Sequence, residues 1–268
     1  MPKTRVGVIY GGPSSEHDVS LASGLAICRN LDKSKYEILR VIIDRKGRWQ
    51  IGRQSGLEEA AAIKLLKTKI DVALLGLHGS FGEDGLLQGL LDSAKIKYTG
   101  SGAKASHLAF DKELAQKQYE HHGLPVPAWE ILTSPNQEVS MSLPIVVKPT
   151  TEGSSVGVGI VKSRNELQAA IQQAFSHGER IMVQEYIDGI EVSCGVLERP
   201  KLTALTPTEL RPVKDDFFSY EAKYDIGGTE ELTPPILPKE IIRSIQELAI
   251  RAHEVLGCRG YSRTDMFV

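Results

Sequence analysis

The chain is poor in cysteine, and it has no long apolar run. Its 268 residues include 3 cysteines, which are far apart and form no CxxC pair: Cys28, Cys194 and Cys258. An odd, scattered set favours buried thiols in a reducing cytosol over a disulfide framework. The apolar stretch from Val6 to Tyr10 stops at a pair of glycines and is too short for a signal peptide. No run approaches the roughly 20 residues that span a bilayer. We therefore expect a cytoplasmic protein with no membrane partner.

The sequence also lacks an excess of either charge. Lysine and arginine number 32 against 34 acidic residues, which gives a net charge of -2. This balance provides no basic surplus to neutralise a phosphate backbone, so a nucleic-acid partner is not expected. Hydrophobic residues at 41% and charged residues at 25% are ordinary for a folded globular protein. The length allows two or three compact units.

The first hundred residues alternate between strand and helix patterns. Apolar runs predict strands and helical spacing predicts helices in this order: strand 5–10, helix 19–31, strand 36–43, helix 57–69 and strand 72–77. Such alternation indicates an α/β unit with a parallel sheet covered on both faces. We expect this unit to end near Gly100-Ser-Gly102, and we assign residues 1–102 to it.

The rest of the chain divides into a central and a C-terminal segment, 103–188 and 189–268. The central pattern predicts a long helix 103–122, strands 145–147 and 156–161, helix 165–175, strand 181–185 and a hinge at Asp188-Gly189. The C-terminal pattern predicts strands 191–197 and 202–210, helix 238–256 and strand 260–268. Because the sequence stops inside an apolar strand, we expect that some sequence is missing.

A glycine-rich loop follows the strand that ends in Val147-Lys148-Pro149. Small residues over 152–159, with Lys148 adjacent and Lys112 upstream, favour a loop whose N–H groups approach a polyphosphate. A plain hairpin turn is the alternative, and no Walker A pattern occurs. Gly100-Ser-Gly102 weakly matches a dinucleotide fingerprint, but the first strand of such a unit lies at the N-terminus and not here, so a tight domain-crossing turn that caps a helix is the better interpretation.

Three further motifs contain polar residues at predicted strands. His78 and Glu16 follow buried strands, at the sheet edge where parallel α/β proteins bind ligands. Glu16 could bind an ammonium group, or the stretch could simply cap a helix through Ser14 or Ser15. Arg263 and Asp265 alternate on a strand and share a face, so they could hold an oxyanion and a metal, or form a surface ion pair.

In this order along the whole chain, the motifs resemble those of D-alanine–D-alanine ligases of the ATP-grasp superfamily. The matching stretches are 11–20, 77–79 with 82–85, 98–102, 111–112, 147–149, 152–157, 220–224 and 263–265. The resemblance implies an α/β (α+β) ATP-grasp fold with an N-terminal Rossmann-like domain. It also implies that ATP phosphorylates one D-alanine, that the amine of a second attacks the acyl phosphate, and that the dipeptide enters peptidoglycan synthesis. A homodimer through the first domain is expected on the same ground.

The resemblance further implies a role for each matching residue. ATP would be bound by the residues Lys112, Lys148, Gly153, Ser154, Ser155, Val156, Gln184, Glu185, Tyr186, Ile187, Glu191 and Lys223. The lysines 112 and 148 would hold the α- and β-phosphates, and the loop 153–157 would close over them. The substrate side would use Glu16 on the first ammonium group with bonds to Ser154 and Tyr224, His78 near the first carboxylate, and Lys223. Arg263 would stabilise the tetrahedral intermediate, and Asp265 would bind Mg²⁺ or Mn²⁺.

The sequence departs from the family pattern in two places. Gln184 stands where a glutamate usually meets the adenine amino group, and its side-chain oxygen is expected to accept the same hydrogen bond. Beyond Asp265 the family adds a strand with a Glu-x-Asn metal-ligand pair and then a glycine–serine segment that touches the second D-alanine, and neither occurs in this sequence. We therefore expect a chain stopping at Val268 to bind nucleotide weakly and to make no dipeptide. The alternatives are an ATP-grasp ligase with another acceptor, such as D-lactate, and a non-catalytic nucleotide-binding remnant.

Overall fold

A computed structural model describes residues 2–213 and 228–268. The chain divides into two units, Met1–His107 and Leu108–Val268. Among the described helices, none is long and apolar enough to cross a membrane. The finer division at residues 102 and 188 stays a prediction. No disulfide joins the cysteines, all of which lie in the described part of the chain.

The first unit contains a five-stranded mixed sheet. Its strands are β1 (Thr4–Gly11), β2 (Tyr36–Ile43), β3 (Trp49–Ile51), β4 (Gln54–Leu57) and β5 (Val72–Leu75), in the spatial order β4-β3-β2-β1-β5. The predicted parallel arrangement is confirmed for β1, β2 and β5. Strands β3 and β4 were not predicted, and they add an antiparallel edge. The connection from β2 to β3 is too short for the helical crossover that a parallel strand needs.

Helices cover both faces of this sheet, as predicted. They are α1 (His17–Asn30), α2 (Glu59–Lys69) and α3 (Leu86–Ala94), the last of which was not predicted. Alternate residues of β1 point to opposite sides, so Val8 and Tyr10 pack with Cys28 of α1. Ile9 packs on the other side with Leu66 and Leu91 of α2 and α3. Because β1 and β5 are parallel, their carboxyl ends meet at the same edge of the sheet.

The second unit begins with two helices where the sequence predicts one. They are α4 (Ala103–Phe110), which begins in the first unit, and α5 (Lys112–His121). Asp111 breaks the continuous helix because its backbone is extended and its carboxylate accepts from the N–H groups of Glu113 and Leu114. The N–H of Lys112 donates instead to the Thr150 carbonyl, at 2.9 Å. The predicted long helix is thus wrong at this residue.

The second unit also contains two sheets, each with one helix packed on it. The central sheet has the order β6-β9-β7-β8, and α6 (Arg164–Phe175) packs on it; its strands are β6 (Trp129–Leu132), β7 (Ile145–Pro149), β8 (Gly159–Val161) and β9 (Ile181–Glu185). The C-terminal sheet is built around β10, and α7 (Lys239–Val255) packs on it; its strands are β10 (Glu191–Glu198), β11 (Leu202–Ala204), β12 (Thr208–Pro212), β13 (Thr229–Leu232) and β14 (Tyr261–Phe267). The predicted strand 202–210 is interrupted before Pro207, a residue with no N–H to donate to a ladder.

Candidate functional site

Glu16 lies at the ligand edge of the first unit, where α1 begins. Its side chain is buried, with 4% exposed, beside Gly79 in the loop after β5. Gly79 has a φ of +73°, and a Cβ there would lie 2.8 Å from Glu16 Oε2. Glycine at this position therefore leaves room for the carboxylate and supplies a backbone conformation that other residues rarely adopt. The two loops form a cradle around one buried acid.

Serine side chains fix His78 and the start of α1 at this edge. Ser14 Oγ donates to the His78 carbonyl at 2.7 Å, and Ser23 Oγ lies 2.8 Å from His78 Nε2. Ser20 Oγ donates to the Gly76 carbonyl at 2.8 Å. The expected cap from Ser14 or Ser15 is wrong, because Glu16 is the N-cap residue and no side chain caps the helix. Ser14 is used instead to join the loops after β1 and β5.

Lys148 and Gln184 face each other across the central sheet. On the neighbouring strands β7 and β9, Lys148 lies opposite Met182 and Gln184 lies opposite Val146. The two polar side chains are therefore diagonal neighbours, and Lys148 Nζ donates to Gln184 Oε1 at 2.6 Å. Burial lowers the pKa of Lys148 to about 8, with a further lowering by the positive charge of Lys112 and a partial compensation by Glu191. A concentration of positive charge in a poorly solvated place favours an anionic ligand.

Lys112 is held beside this pair by the start of α5. Its ammonium donates to the Glu152 carbonyl in the glycine-rich loop. The preceding Asp111 is buried and forms an ion pair with Arg180, which also binds Glu113. The hydrogen bond that Arg180 donates to the Asp111 carboxylate raises the pKa of Arg180. This network ties the N-terminus of α5 to the start of β9 and so positions Lys112.

The glycine-rich loop carries unusual backbone angles. Ser154 and Ser155 have φ values of 46° and 61°, a region that non-glycine residues seldom occupy. Gly157 has a φ of +69°, and a Cβ there would lie 2.9 Å from both Pro149 Cγ and His177 Cδ2. Residues Gly153 and Val156 close a turn through a hydrogen bond of 3.0 Å. The alternative of a plain hairpin turn is met only in part, since β7 and β8 pair antiparallel but are joined by the long loop 150–158. The predicted strand 156–161 is wrong at its start, because β8 begins only at Gly159.

Arg263 and Asp265 lie on one face of β14, as the alternation predicts. Asp265 Oδ1 accepts from Ser193 Oγ at 2.7 Å and lies 3.5 Å from Arg263 Nε. The β10–β14 register places Asp265 opposite Ser193 and Phe267 opposite Glu191, so Glu191 shares this face. The opposite face, with Val192 and Cys194, is buried against α7.

Acidic side chains of the C-terminal sheet act on groups of β7 and α5. The charge of Glu191 partly offsets the lowering of the Lys148 pKa. The pKa of Tyr119 on α5 is raised to about 12, mainly by burial, with smaller contributions from the charges of Cys258 and Asp265.

Two backbone N–H groups, one at the end of β9 and one just after it, donate to carbonyl groups of the protein. The N–H of Glu185 donates to the Ala128 carbonyl at 2.8 Å, and the N–H of Tyr186 donates to the Pro144 carbonyl at 3.4 Å. The predicted backbone contacts of Tyr186 and Ile187 with adenine stay predictions.

Comparison with protein families gives this arrangement a context. The family model described as D-ala D-ala ligase C-terminus matches residues 119–268, and the model described as D-ala D-ala ligase N-terminus matches residues 5–67 and 53–101. The chain belongs to the D-alanine–D-alanine ligase family. A family member from Leptospira biflexa, named D-alanine–D-alanine ligase, is 38% identical over 304 residues, which covers 100% of this chain and 87% of the relative.

Solved structures of ligases show the same fold. The D-alanine–D-alanine ligase of Bacillus anthracis complexed with ATP matches 99% of this chain and 82% of its own, with a TM-score of 0.79 and 31% identity. The D-Ala:D-Ser ligase VanG of Enterococcus faecalis matches 99% of this chain and 86% of its own, with a TM-score of 0.82 and 30% identity. The expected α/β ATP-grasp fold of the ligase family is thereby confirmed.

The family resemblance implies a magnesium ion, and the described residues offer one carboxylate for it. No group of three histidine, cysteine or acidic side chains that could hold an ion occurs in residues 2–213 and 228–268. Asp265 is 46% exposed and its Oδ1 is oriented by Ser193, so it can serve as one carboxylate ligand. Mg²⁺ is commonly bound by one or two carboxylates together with substrate phosphates and water. Asp265 could therefore be one protein ligand of an ion whose other ligands are nucleotide phosphates and water.

Two predicted site residues lie outside the described part of the chain. Two serines that support the candidate site were not predicted. Lys223 and Tyr224 fall outside the described residues. Ser23 and Ser193 were not predicted, although each orients a predicted site residue. Ser20 and Ser23 are three residues apart on α1, a spacing that could have indicated a polar stripe toward the ligand edge. Nothing in the sequence indicates Ser193, because its position depends on the β10–β14 register.

Proposed function

We propose that the protein is an ATP-dependent ligase that joins two D-alanines into D-alanyl-D-alanine through an acyl phosphate, for peptidoglycan synthesis. The observation that carries this is the buried Lys148 ammonium, with the Lys112 ammonium held at the glycine-rich loop of the same unit. The same unit also bears Arg263 and Asp265 on one face of β14. Membership of the ligase family supports the same conclusion.

On the nucleotide side, the side chains bind and neutralise charge. Lys112 and Lys148 hold the α- and β-phosphates, and the loop 153–157 covers them with its backbone N–H groups. Glu191 binds the ribose hydroxyls. A bound Mg²⁺ or Mn²⁺, with Asp265 as a ligand, would neutralise the phosphate oxygens. Because phosphoryl transfer needs little covalent chemistry from the protein, positioning and charge neutralisation provide most of the acceleration.

On the amino-acid side, the first unit orients the substrate. The buried Glu16 carboxylate binds the ammonium of the first D-alanine, and His78, held by Ser23, lies near its carboxylate. Arg263 stabilises the negative charge that develops when the second amine attacks. Bonds from Glu16 to Ser154 and Tyr224, a contact of Lys223 with substrate, and a homodimer remain predictions from the resemblance.

A phosphate-release assay tests the proposal. The protein is assayed with ATP, Mg²⁺ and D-alanine. D-alanine should stimulate release, and removal of the metal by EDTA should abolish it. Arg263→Lys should lower kcat by about 10²–10³-fold, the usual effect of losing an oxyanion donor. The same substitution at the exposed Arg243 serves as the control.

Two results would contradict the proposal. One is phosphate release that does not depend on D-alanine. The other is equal activity of Arg263→Lys and Arg243→Lys. D-lactate and D-serine as second substrates test the other acceptors, since a D-Ala:D-Ser ligase shares this fold.

A further inference from the structure

His177 lies in the connection between α6 and β9, and its ring packs on the glycine-rich loop. A Cβ on Gly157 would lie 2.9 Å from His177 Cδ2 and 3.2 Å from His177 Cγ. The Pro149 ring lies on the same side, and its Cγ is also 2.9 Å from that position. The imidazole and the proline ring therefore fill the space that a side chain at residue 157 would occupy. His177 is half-buried, and it has no part in the nucleotide contacts proposed above.

The connection that carries His177 is bonded to the strand that enters the loop. The N–H of Thr150 donates to the Arg180 carbonyl at 3.1 Å, and Pro149 lies opposite Ile181 at the start of β9. Thr150 is buried, with 2% exposed. These contacts fix the connection to the end of β7. His177 extends from this fixed segment to the other end of the loop, where the chain leaves toward β8.

The tip of the loop needs support from both ends. Ser154 and Ser155 have positive φ values, a conformation that persists only where the surrounding structure holds it. The Lys112 ammonium holds the entering side through the Glu152 carbonyl. On the leaving side, the packing of the His177 ring on the loop limits how far the backbone can move.

We propose that His177 is a positioning residue, whose ring holds the leaving end of the glycine-rich loop and so pre-organises the loop for a nucleoside triphosphate. This inference rests on the proposed nucleotide site. A loop that is already ordered loses less conformational entropy when the ligand binds, so the ligand binds more tightly. The contact with Gly157 is made by carbon atoms of a flat ring, so the shape of the ring produces the effect. Phenylalanine should therefore replace His177, whereas alanine should not.

The experiment compares His177→Ala with His177→Phe by titration calorimetry of MgATP. His177→Ala should raise the Kd about tenfold, and His177→Phe should stay within about threefold of the wild type. The matched control is His121→Ala, because His121 is an exposed histidine at the opposite end of α5 from Lys112. This control should bind MgATP as the wild type does.

Hydrogen exchange without nucleotide gives a readout that a general structural role would not reproduce. In His177→Ala, exchange in peptides covering 150–158 should be faster than in the wild type, because the loop opens more often. Exchange in β9, over 181–185, should stay unchanged. His177→Phe should restore slow exchange in the loop.

Wild-type affinity of His177→Ala for MgATP, whatever its exchange, overturns the inference and leaves the proposed ligase intact. Equal weakening by alanine and phenylalanine, or faster exchange in β9 as well as in the loop, assigns His177 a general structural role and also decides against it. Failure of the wild-type protein to bind MgATP removes the proposed nucleotide site and the inference with it. Should His177→Ala not fold, His177→Gln also lacks the ring, and wild-type affinity in that variant overturns the inference.

Discussion

At the scale of single residues, the surroundings of the Lys148 ammonium lower its pKa toward neutrality. Its pKa lies at about 8 instead of 10.5, because of burial and the nearby charge of Lys112. A bound triphosphate favours the protonated form, so binding raises this pKa. We expect proton uptake on nucleotide binding near pH 8, and an affinity that falls as the pH rises above about 8. Calorimetry in two buffers of different ionisation enthalpy measures the uptake.

Lys148→Arg is the control for this linkage. Arginine stays protonated throughout this range, so its variant should bind nucleotide without proton uptake at pH 8. Equal uptake by both proteins would assign the proton to another group. The stability of the unliganded protein should also depend on pH through Lys148. Its unfolded state binds more protons between pH 8 and 10.5, so the free energy of unfolding rises with pH over that window.

At the scale of helices and strands, local pattern predicted elements well and their interruptions poorly. Strand β2 has the predicted bounds, and α6 begins one residue earlier than predicted. The break at Asp111 was missed because it depends on a distant partner, the Thr150 carbonyl that accepts from the N–H of Lys112. Strands β3 and β4 are three and four residues long, too short to show an alternating pattern.

The packing of α1 on β1 yields a prediction about one glycine. A Cβ on Gly24 would lie 2.0 Å from Cγ of the buried Tyr10, so Gly24→Ala forces the helix away from the strand. Overpacking of this kind costs about 1–3 kcal/mol of unfolding free energy. Gly89 in α3 provides the control, because a Cβ there meets nothing nearer than 3.9 Å. Gly89→Ala should stabilise by about 0.5–1 kcal/mol through helix propensity.

Urea unfolding of both variants measures the two effects. Equal stability of Gly24→Ala and the wild type would show that α1 can shift without loss. The expected result is a lower midpoint for Gly24→Ala and a higher one for Gly89→Ala, with an unchanged dependence on urea concentration.

At the scale of the whole molecule, the order of the motifs predicted the family, but the sequence did not show how the candidate site residues are held. Glu16 and Arg263 are recognisable from motifs, and the structure places them in separate units. Their supports are distant in sequence: Ser193 lies 72 residues from Asp265, and Asp111 lies 69 residues from Arg180. Such partners follow from sheet register and helix docking, which local patterns do not contain.

The division of ligand binding between the two units leads to a prediction for hydrogen exchange. If Glu16 binds the ammonium of D-alanine, the amino acid should slow exchange in peptides covering 11–20 and 77–85, the two loops that surround this acid. A non-hydrolysable ATP analogue with Mg²⁺ should slow exchange over 148–157 and 181–191, where Lys148, Gln184 and the glycine-rich loop lie. Exchange mass spectrometry with each ligand alone separates the two patterns, because binding to the folded state lowers the frequency of local opening. Protection by D-alanine confined to the second unit would remove Glu16 from the substrate site, while the lysine site for the nucleotide would still stand.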